Sequence, residues 1–223
     1  MKKISLENGE HVLRFDCGAD DFYFDSGNVL YAVDALQAIA AGEGGFLYIY
    51  GPFGCGKSHL LRGFFRDCKA SAGEGAKMIS AASLADELRA AMCSGTVDAL
   101  ARRYEALKLL VVEDIDLLSG KESMQNVFFQ LFEQLLLLGC AVVVSGGEHP
   151  DSFPELYPLC DSCGSMIVEL GYPDADCRKN YAVATCVEWG VYITLEEAEA
   201  LADFYVSIPQ LRGTLFSRAL KAA

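Results

Sequence analysis

The segment at residues 51–58 constrains this chain more than any other part of its sequence. It reads Gly-Pro-Phe-Gly-Cys-Gly-Lys-Ser and matches the phosphate-loop pattern G-x-x-x-x-G-K-[ST] at every fixed position. An apolar run at 46–50, a predicted strand, precedes the loop, and a helix-like segment at 59–69 follows it. In this context the glycines let several backbone N–H groups face one anion, next to the positive end of a helix dipole. The pattern therefore predicts a site for a nucleoside diphosphate or triphosphate, in preference to a Gly-rich turn with an exposed lysine.

Individual residues of this loop have predicted parts in the site. Lys57 would neutralise the outer phosphates, and the hydroxyl of Ser58 would coordinate Mg²⁺. His59 is expected to support the loop by packing, because no nucleophile neighbours it, and Cys55 beside the helix start is a candidate for oxidation. The predicted cofactor-binding residues are Gly51, Pro52, Phe53, Gly54, Cys55, Gly56, Lys57, Ser58 and His59.

Apolar strands alternate with helices after the loop. We predict further strands at 77–80, 109–112 and 141–144, a helix that starts at Ser83 and another at 123–138. This alternation is typical of a parallel sheet covered by helices on both sides. Beyond 171–173 the pattern is helical, with three predicted helices at 174–188, 195–206 and 209–222. The prediction is an α/β domain over 1–173, including an N-terminal arm over 1–20, and a helical lid subdomain over 174–223.

Two acidic residues, Glu113 and Asp114, follow the apolar strand at 109–112. Open α/β sheets bind ligands at the carboxyl ends of their strands, so these acids belong to the predicted nucleotide site. We predict that Glu113 holds Mg²⁺ together with Ser58. Glu113 and Asp114 are the predicted catalytic pair, with Asp114 polarising the attacking water. The alternative is a pair of acids that merely ends a strand.

The acidic composition argues against a surface that binds nucleic acid. The 223 residues include 31 acidic and 18 basic ones, which gives a net charge of −13, and no lysine or arginine occurs between Lys121 and Arg178. Such a surface repels phosphate backbones, so we expect protein partners and no direct nucleic-acid binding. No apolar run reaches the roughly 18 residues of a membrane span. The two N-terminal lysines are not followed by the apolar segment of a signal peptide, so we expect none. We therefore expect a cytoplasmic protein, as a monomer or a weak dimer.

The cysteines favour reduced, buried thiols over a disulfide framework. There are nine of them, an odd number, scattered through predicted core elements. Structural zinc is the alternative for four of these residues, although the second pair is wider apart than is usual in such sites. The four are Cys160, Cys163, Cys177 and Cys186.

A longer run resembles one family of nucleotide-binding proteins. Residues 113–132 read Glu-Asp-Ile-Asp-Leu-Leu-Ser-Gly-Lys-Glu-Ser-Met-Gln-Asn-Val-Phe-Phe-Gln-Leu-Phe, which resembles the segment that begins with the acidic strand end in the DnaA family of AAA+ proteins. Gly-Tyr-Pro-Asp at 171–174 and Leu-Arg-Gly-Thr-Leu at 211–215 support the resemblance. It covers roughly 22–220, and the chain resembles in particular the small Hda-like regulators of that family. The resemblance implies an AAA+ P-loop NTPase sheet with a small C-terminal helical lid, and ADP or ATP with Mg²⁺ as cofactors.

The chain departs from this family at positions that the family uses for hydrolysis. Pro209 takes the place of the lid arginine that reaches the phosphates, and Arg212, one turn later, is the alternative. The segment at 158–166, where the family carries its arginine finger, contains no arginine, and Ser145 is the only obvious polar sensor after the strand at 141–144. An arginine finger raises turnover by orders of magnitude. We therefore predict nucleotide binding with weak or no ATP hydrolysis.

The resemblance implies two functions of different classes. The first is a nucleotide-binding, Hda-like regulator that controls replication initiation through contacts with the DnaA initiator or the sliding clamp and that ends before a DNA-binding domain. The second is an active AAA+ ATPase of the initiator or helicase-loader type that acts on nucleic acid. A degenerate scaffold that binds no nucleotide is a third, weaker interpretation.

Overall fold

A computed structural model describes residues 2–5, 11–14, 23–24, 27–43, 45–161 and 164–222. The chain forms two compact units. We call Tyr31–Gly51 with Phe64–Glu169 the sheet unit, and Met1–Leu30, Pro52–Gly63 and Leu170–Ala223 the lid unit. In the described ranges, every helix is too short or too polar to cross a bilayer.

The sheet unit contains the predicted parallel sheet. Its five strands lie in the order β5-β6-β7-β4-β8, and every neighbouring pair is parallel. Strands β4, β6 and β7 are buried along almost their whole length, which explains their continuous apolar sequence. The strands are β4 Phe46–Tyr50, β5 Ala76–Ser80, β6 Leu109–Glu113, β7 Ala141–Gly146 and β8 Met166–Glu169. The sequence did not predict β8, which is an edge strand.

Helices pack on this sheet and complete its core. Phe128 and Phe132 of the predicted 123–138 helix are fully buried, with ring centroids 5.6 Å apart, as their four-residue spacing predicts. The helices that precede β8 are α1 Gly27–Ala41, α2 Lys57–Ala72, α3 Ala81–Ser94, α4 Val97–Glu105, α5 Glu122–Leu137 and α6 Tyr157–Cys160, with short 3₁₀ turns at Gly73–Gly75, Ile115–Leu118 and Pro150–Ser152. The predicted start of α3 at Ser83 is wrong by three residues, because the side chain of Ser80 caps the helix by accepting a hydrogen bond from the N–H of Ser83.

A polar network joins β5, α3 and α4. Lys77 donates to both carboxylate oxygens of Glu87 at 2.9 Å and to the hydroxyl of Tyr104 at 2.7 Å. That hydroxyl donates in turn to Glu87 at 2.9 Å. Burial raises the pKa of Glu87, but the hydrogen bonds from Lys77 and Tyr104 outweigh it and hold the pKa below its ordinary value. Glu87 is therefore stabilised as a carboxylate that links the two helices to the sheet.

The lid unit contains the C-terminal helices that the sequence predicts, with bounds shifted by one or two residues. They are α7 Ala175–Glu188, α8 Leu195–Phe204 and α9 Ile208–Ala222. A capping box between Thr194 and Glu197 starts α8, and Arg218 of α9 forms an ion pair with Glu197 at 2.8 Å. The same unit carries a small antiparallel sheet of β1 Lys2–Ser5, β2 His11–Arg14 and β3 Tyr23–Phe24, which lies in and just beyond the predicted arm.

Candidate nucleotide-binding site

The phosphate loop turns tightly between β4 and α2. Gly54 and Gly56 have φ angles of 82° and 107°, which L-residues with side chains rarely adopt. The N–H of Leu60 then bonds to the carbonyl of Gly56 at 2.9 Å, so α2 continues directly from the loop. This is the backbone path that the glycine spacing predicts, with the amino end of a 16-residue helix at its exit.

The side chain of Lys57 folds back over its own loop. Its Nζ donates a hydrogen bond to the carbonyl of Pro52 at 3.0 Å and lies 3.9 Å from the sulfur of Cys55. The ammonium group is half-buried, in the first residue of α2. The ammonium group of Lys57 therefore lies where it can neutralise part of the negative charge of a phosphate group bound by the loop.

The other side chains of the loop differ in exposure. Phe53 is largely exposed, while Ser58 and His59 are half-buried in the first turn of α2. Cys55 is fully buried, and this burial raises the pKa of its thiol even though Lys57 acts in the opposite direction. Because the thiolate is the form that reacts with oxidants, the burial of Cys55 argues against the prediction that this thiol is sensitive to oxidation.

Two residues at the start of α9, Ser207 and Pro209, lie close to Gly54 of the phosphate loop. A Cβ on Gly54 would stand 3.0 Å from the Cβ of Ser207 and 3.3 Å from the Cδ of Pro209. Ser207 precedes α9 and is 5% exposed, and Pro209 is the second residue of that helix, a position that suits proline. Pro209, which the resemblance predicts to stand at the family's lid arginine position, therefore presents a pyrrolidine ring to the loop.

Arg212, the alternative lid cation, takes part in packing within the lid. Its guanidinium lies 5.9 Å from the ring centroid of Trp189, within the range of a cation–π contact. Trp189 in turn meets Phe216 edge to face, with centroids 5.9 Å apart. The prediction that Trp189 packs the lid is consistent with these contacts.

The acidic strand end lies in the sheet unit. Glu113 is the last residue of β6 and is half-buried, whereas Asp114 is exposed. Asp114 has φ 60° and ψ 54°, and it is the one non-glycine residue with positive φ in the part of the chain that the structure describes. Aspartate tolerates this conformation better than most residues, and such strained positions cluster at functional sites. The following residue, Ile115, is fully buried and anchors the turn.

Sequence reasoning missed Asp116, which ties this strand end to the loop after β7. Both of its carboxylate oxygens accept the N–H of Gly147 at 2.7 Å, and one accepts that of Glu148 at 3.3 Å. On the other side, the N–H of Gly51 donates to the carbonyl of Gly146 at 3.2 Å. The loop after β7 is thus fixed to the acidic strand end and to the first residue of the phosphate loop.

Two further residues of the sheet unit bear on this loop. The hydroxyl of Tyr48 donates to the carbonyl of Glu148 at 2.9 Å, and burial, followed by the charge of Asp116, raises the pKa of Tyr48, so that it stays a neutral donor. Ser145, the candidate polar sensor, is fully buried in β7. Among the described residues its hydroxyl has no hydrogen-bond partner.

The predicted metal ligands are compatible with Mg²⁺ by their chemistry alone. Ser58 offers a hydroxyl oxygen and Glu113 a carboxylate oxygen, the donor types that Mg²⁺ prefers beside phosphate and water. Over the described ranges, no group of three or more His, Cys, Asp or Glu side chains is placed to hold a metal ion by itself. Of the four cysteines considered for zinc, Cys160, Cys177 and Cys186 are buried, and Cys163 lies outside the described residues.

Comparison with known proteins identifies the family. The family model of the bacterial DnaA ATPase domain matches residues 16–161, which is more than half of the chain. This chain belongs to the bacterial DnaA ATPase-domain family. The chromosomal replication initiator protein DnaA of Thermomicrobium roseum is 30% identical over 173 residues, which cover 76% of this chain and 37% of that protein. The chain thus spans little more than a third of this relative.

Solved structures confirm the predicted fold. A replication initiator DnaA bound to AMPPCP and single-stranded DNA matches with a TM-score of 0.77 and 23% identity, over 89% of this chain and 63% of that one. Domain III of the Thermotoga maritima replication initiation protein DnaA matches with a TM-score of 0.75 and 21% identity, over 91% and 85%. The AAA+ architecture of a parallel sheet with flanking helices and a C-terminal helical region is therefore established for this chain.

Proposed function

We propose that this chain binds ADP or ATP with Mg²⁺ through its phosphate loop and regulates replication initiation through protein contacts, with weak or no ATP hydrolysis. The conformation of the loop carries the proposal. Two glycines in the left-handed region and a lysine folded back over the loop build a cradle for phosphate. Family membership and an AMPPCP-bound relative support the same ligand class.

We infer weak hydrolysis because the sequence has no arginine at two positions where the resemblance predicts one. Residues 158–166 contain no arginine to offer to a neighbouring subunit, and Pro209 stands at the lid position. Binding needs the loop, Lys57 and Mg²⁺, whereas fast cleavage needs charge that neutralises the transition state. A nucleotide held without rapid turnover suits a protein that signals its bound state to a partner.

The proposed partners are proteins of the initiation machinery, namely the DnaA initiator or the sliding clamp. The net charge of −13 disfavours direct contact with a phosphate backbone. One solved relative is bound to single-stranded DNA, so nucleic-acid binding is the outcome to test against this view. A pull-down from native extract in ADP and in ATP, together with a single-stranded DNA titration at low salt, distinguishes the two. Capture of the initiator without DNA binding supports the proposal, and DNA binding without a protein partner contradicts it.

Nucleotide binding is tested by titrating the purified chain with ADP and ATP in Mg²⁺. We expect saturable binding that Lys57→Ala weakens by about 100-fold or more, because a charge-assisted phosphate contact is lost in a partly desolvated place. Lys69→Ala is the matched control, since it removes the same charge from the last turn of the same helix. Absence of binding to either nucleotide at millimolar concentration would remove the proposal.

An active ATPase is the second candidate, and one observation favours it. The strained backbone of Asp114, next to Glu113 at the strand end, is of the kind found where chemistry takes place. Steady-state hydrolysis above about 1 per second, an ordinary enzyme rate, would support this candidate if Asp114→Asn abolished it. A slower rate supports the regulatory function.

A further inference from the structure

Ser145, near the end of β7, carries a buried hydroxyl that makes no hydrogen bond. Its side chain is fully buried, and in the part of the chain that the structure describes its Oγ has no hydrogen-bond partner. Such a hydroxyl is costly to bury, and its position often has a functional reason. The next residue, Gly146, accepts the N–H of Gly51 at the start of the phosphate loop. The hydroxyl of Ser145 is therefore one residue away from a direct bond to that loop.

The register of the sheet places Ser145 beside Glu113, the predicted ligand of Mg²⁺. Strands β6 and β7 are parallel, with Val112 opposite Val144, and both valines belong to the same hydrophobic cluster. Because successive side chains of a strand leave opposite faces, the next residues, Glu113 and Ser145, share the other face of the sheet. Neighbouring strands lie about 4.8 Å apart, so the carboxylate can reach the hydroxyl directly or across one water molecule.

A second serine borders Glu113 on the other side, and its hydroxyl is already in use. Ser80, the last residue of β5, pairs with Glu113 in the sheet. Its Oγ accepts the N–H of Ser83 at 3.1 Å and so caps α3. Among the described residues, the hydroxyl of Ser145 makes no such bond. The two serines are thus one strand away from the same carboxylate, and they differ in whether the hydroxyl is engaged.

We propose that Ser145 donates a hydrogen bond to the carboxylate of Glu113 when that carboxylate holds the Mg²⁺ of a bound nucleotide. A partner of this kind orients a metal-binding carboxylate and contributes about 10–100-fold to affinity for the metal. Ser145 is then a positioning residue that acts through Glu113. Its side chain has no exposed surface with which to touch a nucleotide, which separates this role from that of a polar sensor. The inference rests on the proposed binding of a nucleotide with Mg²⁺.

The test follows ADP binding as the Mg²⁺ concentration is varied, in Ser145→Ala and in the matched control Ser80→Ala. We expect Ser145→Ala to raise the Mg²⁺ concentration that gives half of the gain in ADP affinity by about tenfold or more. ADP binding in EDTA should not change, and Ser80→Ala should keep the wild-type dependence on Mg²⁺. In a Glu113→Gln background, Ser145→Ala should have no further effect, because the carboxylate that it serves is gone.

The melting temperature of the unliganded chain separates this role from a structural one. Removing a buried hydroxyl that has no partner also removes its desolvation penalty, so Ser145→Ala should melt at or above the wild-type temperature. Ser80→Ala should melt at a lower temperature, because α3 loses its cap.

Several results would overturn the inference. They are an unchanged Mg²⁺ dependence in Ser145→Ala, a loss of ADP binding that is equally large in EDTA, an effect that persists in the Glu113→Gln background, and a lowered melting temperature. If the wild type binds ADP equally well with and without Mg²⁺, the role of Ser145 is excluded while nucleotide binding stands. If the wild type binds neither ADP nor ATP at any Mg²⁺ concentration, the proposed function itself fails.

Discussion

Gly146 is the position where a single methyl group should disturb the candidate site most directly. A Cβ there would stand 2.5 Å from the hydroxyl of Tyr48, 2.9 Å from Cγ2 of Ile115 and 3.2 Å from a carboxylate oxygen of Asp116. Tyr48 and Ile115 are 2% and 0% exposed, so neither side chain can move outward. Overpacking of this kind costs about 1–3 kcal/mol, and we expect Gly146→Ala to lower the free energy of unfolding by about 2–3 kcal/mol.

The closest of these contacts can be removed separately. Tyr48→Phe deletes the hydroxyl and its 2.9 Å bond to the carbonyl of Glu148, at a cost of about 1 kcal/mol. In the Tyr48→Phe background the added methyl no longer meets that oxygen, although the Ile115 contact remains. The cost of Gly146→Ala should therefore be about 1 kcal/mol smaller in this background, which is a coupling of the size seen between touching residues.

Urea unfolding of the four variants, followed by circular dichroism, measures this cycle, provided that the slope with urea stays constant. Gly213→Ala is the control, because that glycine lies in α9 with no atom within 4 Å of an added Cβ. We expect it to leave the stability unchanged or raise it by about 0.5–1 kcal/mol. A Gly146→Ala variant within about 0.5 kcal/mol of the wild type, or a cost that does not depend on Tyr48, would refute the reasoning.

Three further predictions follow from the loop, the cysteines and the Glu87 network. Gly54→Ala should abolish measurable ADP binding in a titration, because φ of 82° is strained for alanine and the new Cβ lies 3.0 Å from that of Ser207; retained affinity would contradict this. Iodoacetamide followed by mass spectrometry should label exposed Cys93 well before buried Cys55, and the reverse order would be inconsistent with the raised pKa of the Cys55 thiol. Glu87 has a pKa below its ordinary value of 4.5, so the stability that it contributes is present above that pH and is lost as the pH falls through its lowered pKa. The difference in unfolding free energy between the wild type and Glu87→Gln should shrink between pH 6 and pH 3, and a constant difference would exclude this contribution.

The sequence was sufficient for the centre of the sheet because burial on both faces leaves an unmistakable apolar run. Strands β4, β6 and β7 are such runs and lie beside one another. The edge strand β8 was missed because it is only partly buried over its four residues, so its run is short and mixed. Helix α4 was missed as well; Thr96, the residue before it, makes no side-chain cap.

The candidate site was predictable only where the signal is local. The conformations of Gly54 and Gly56 follow from the spacing of the phosphate-loop pattern. The contact of Asp116 with the N–H of Gly147 joins residues 31 apart, and a backbone N–H carries no side-chain signature that a sequence could reveal. The position of Ser207 beside Gly54 also joins residues that are far apart in the sequence, so no local pattern predicts it. The division of the chain at 173 and the roles of the individual site residues stay predictions.

The central claim is that this chain holds a nucleotide that it does not rapidly cleave. Its most direct test is to mix labelled ATP and Mg²⁺ with excess protein and to follow bound and cleaved label over time in the same sample. The account predicts that one ATP binds per chain, that binding is lost in Lys57→Ala, and that the bound ATP is recovered intact after minutes. An empty protein at millimolar ATP, or cleavage faster than about 1 per second, would contradict it.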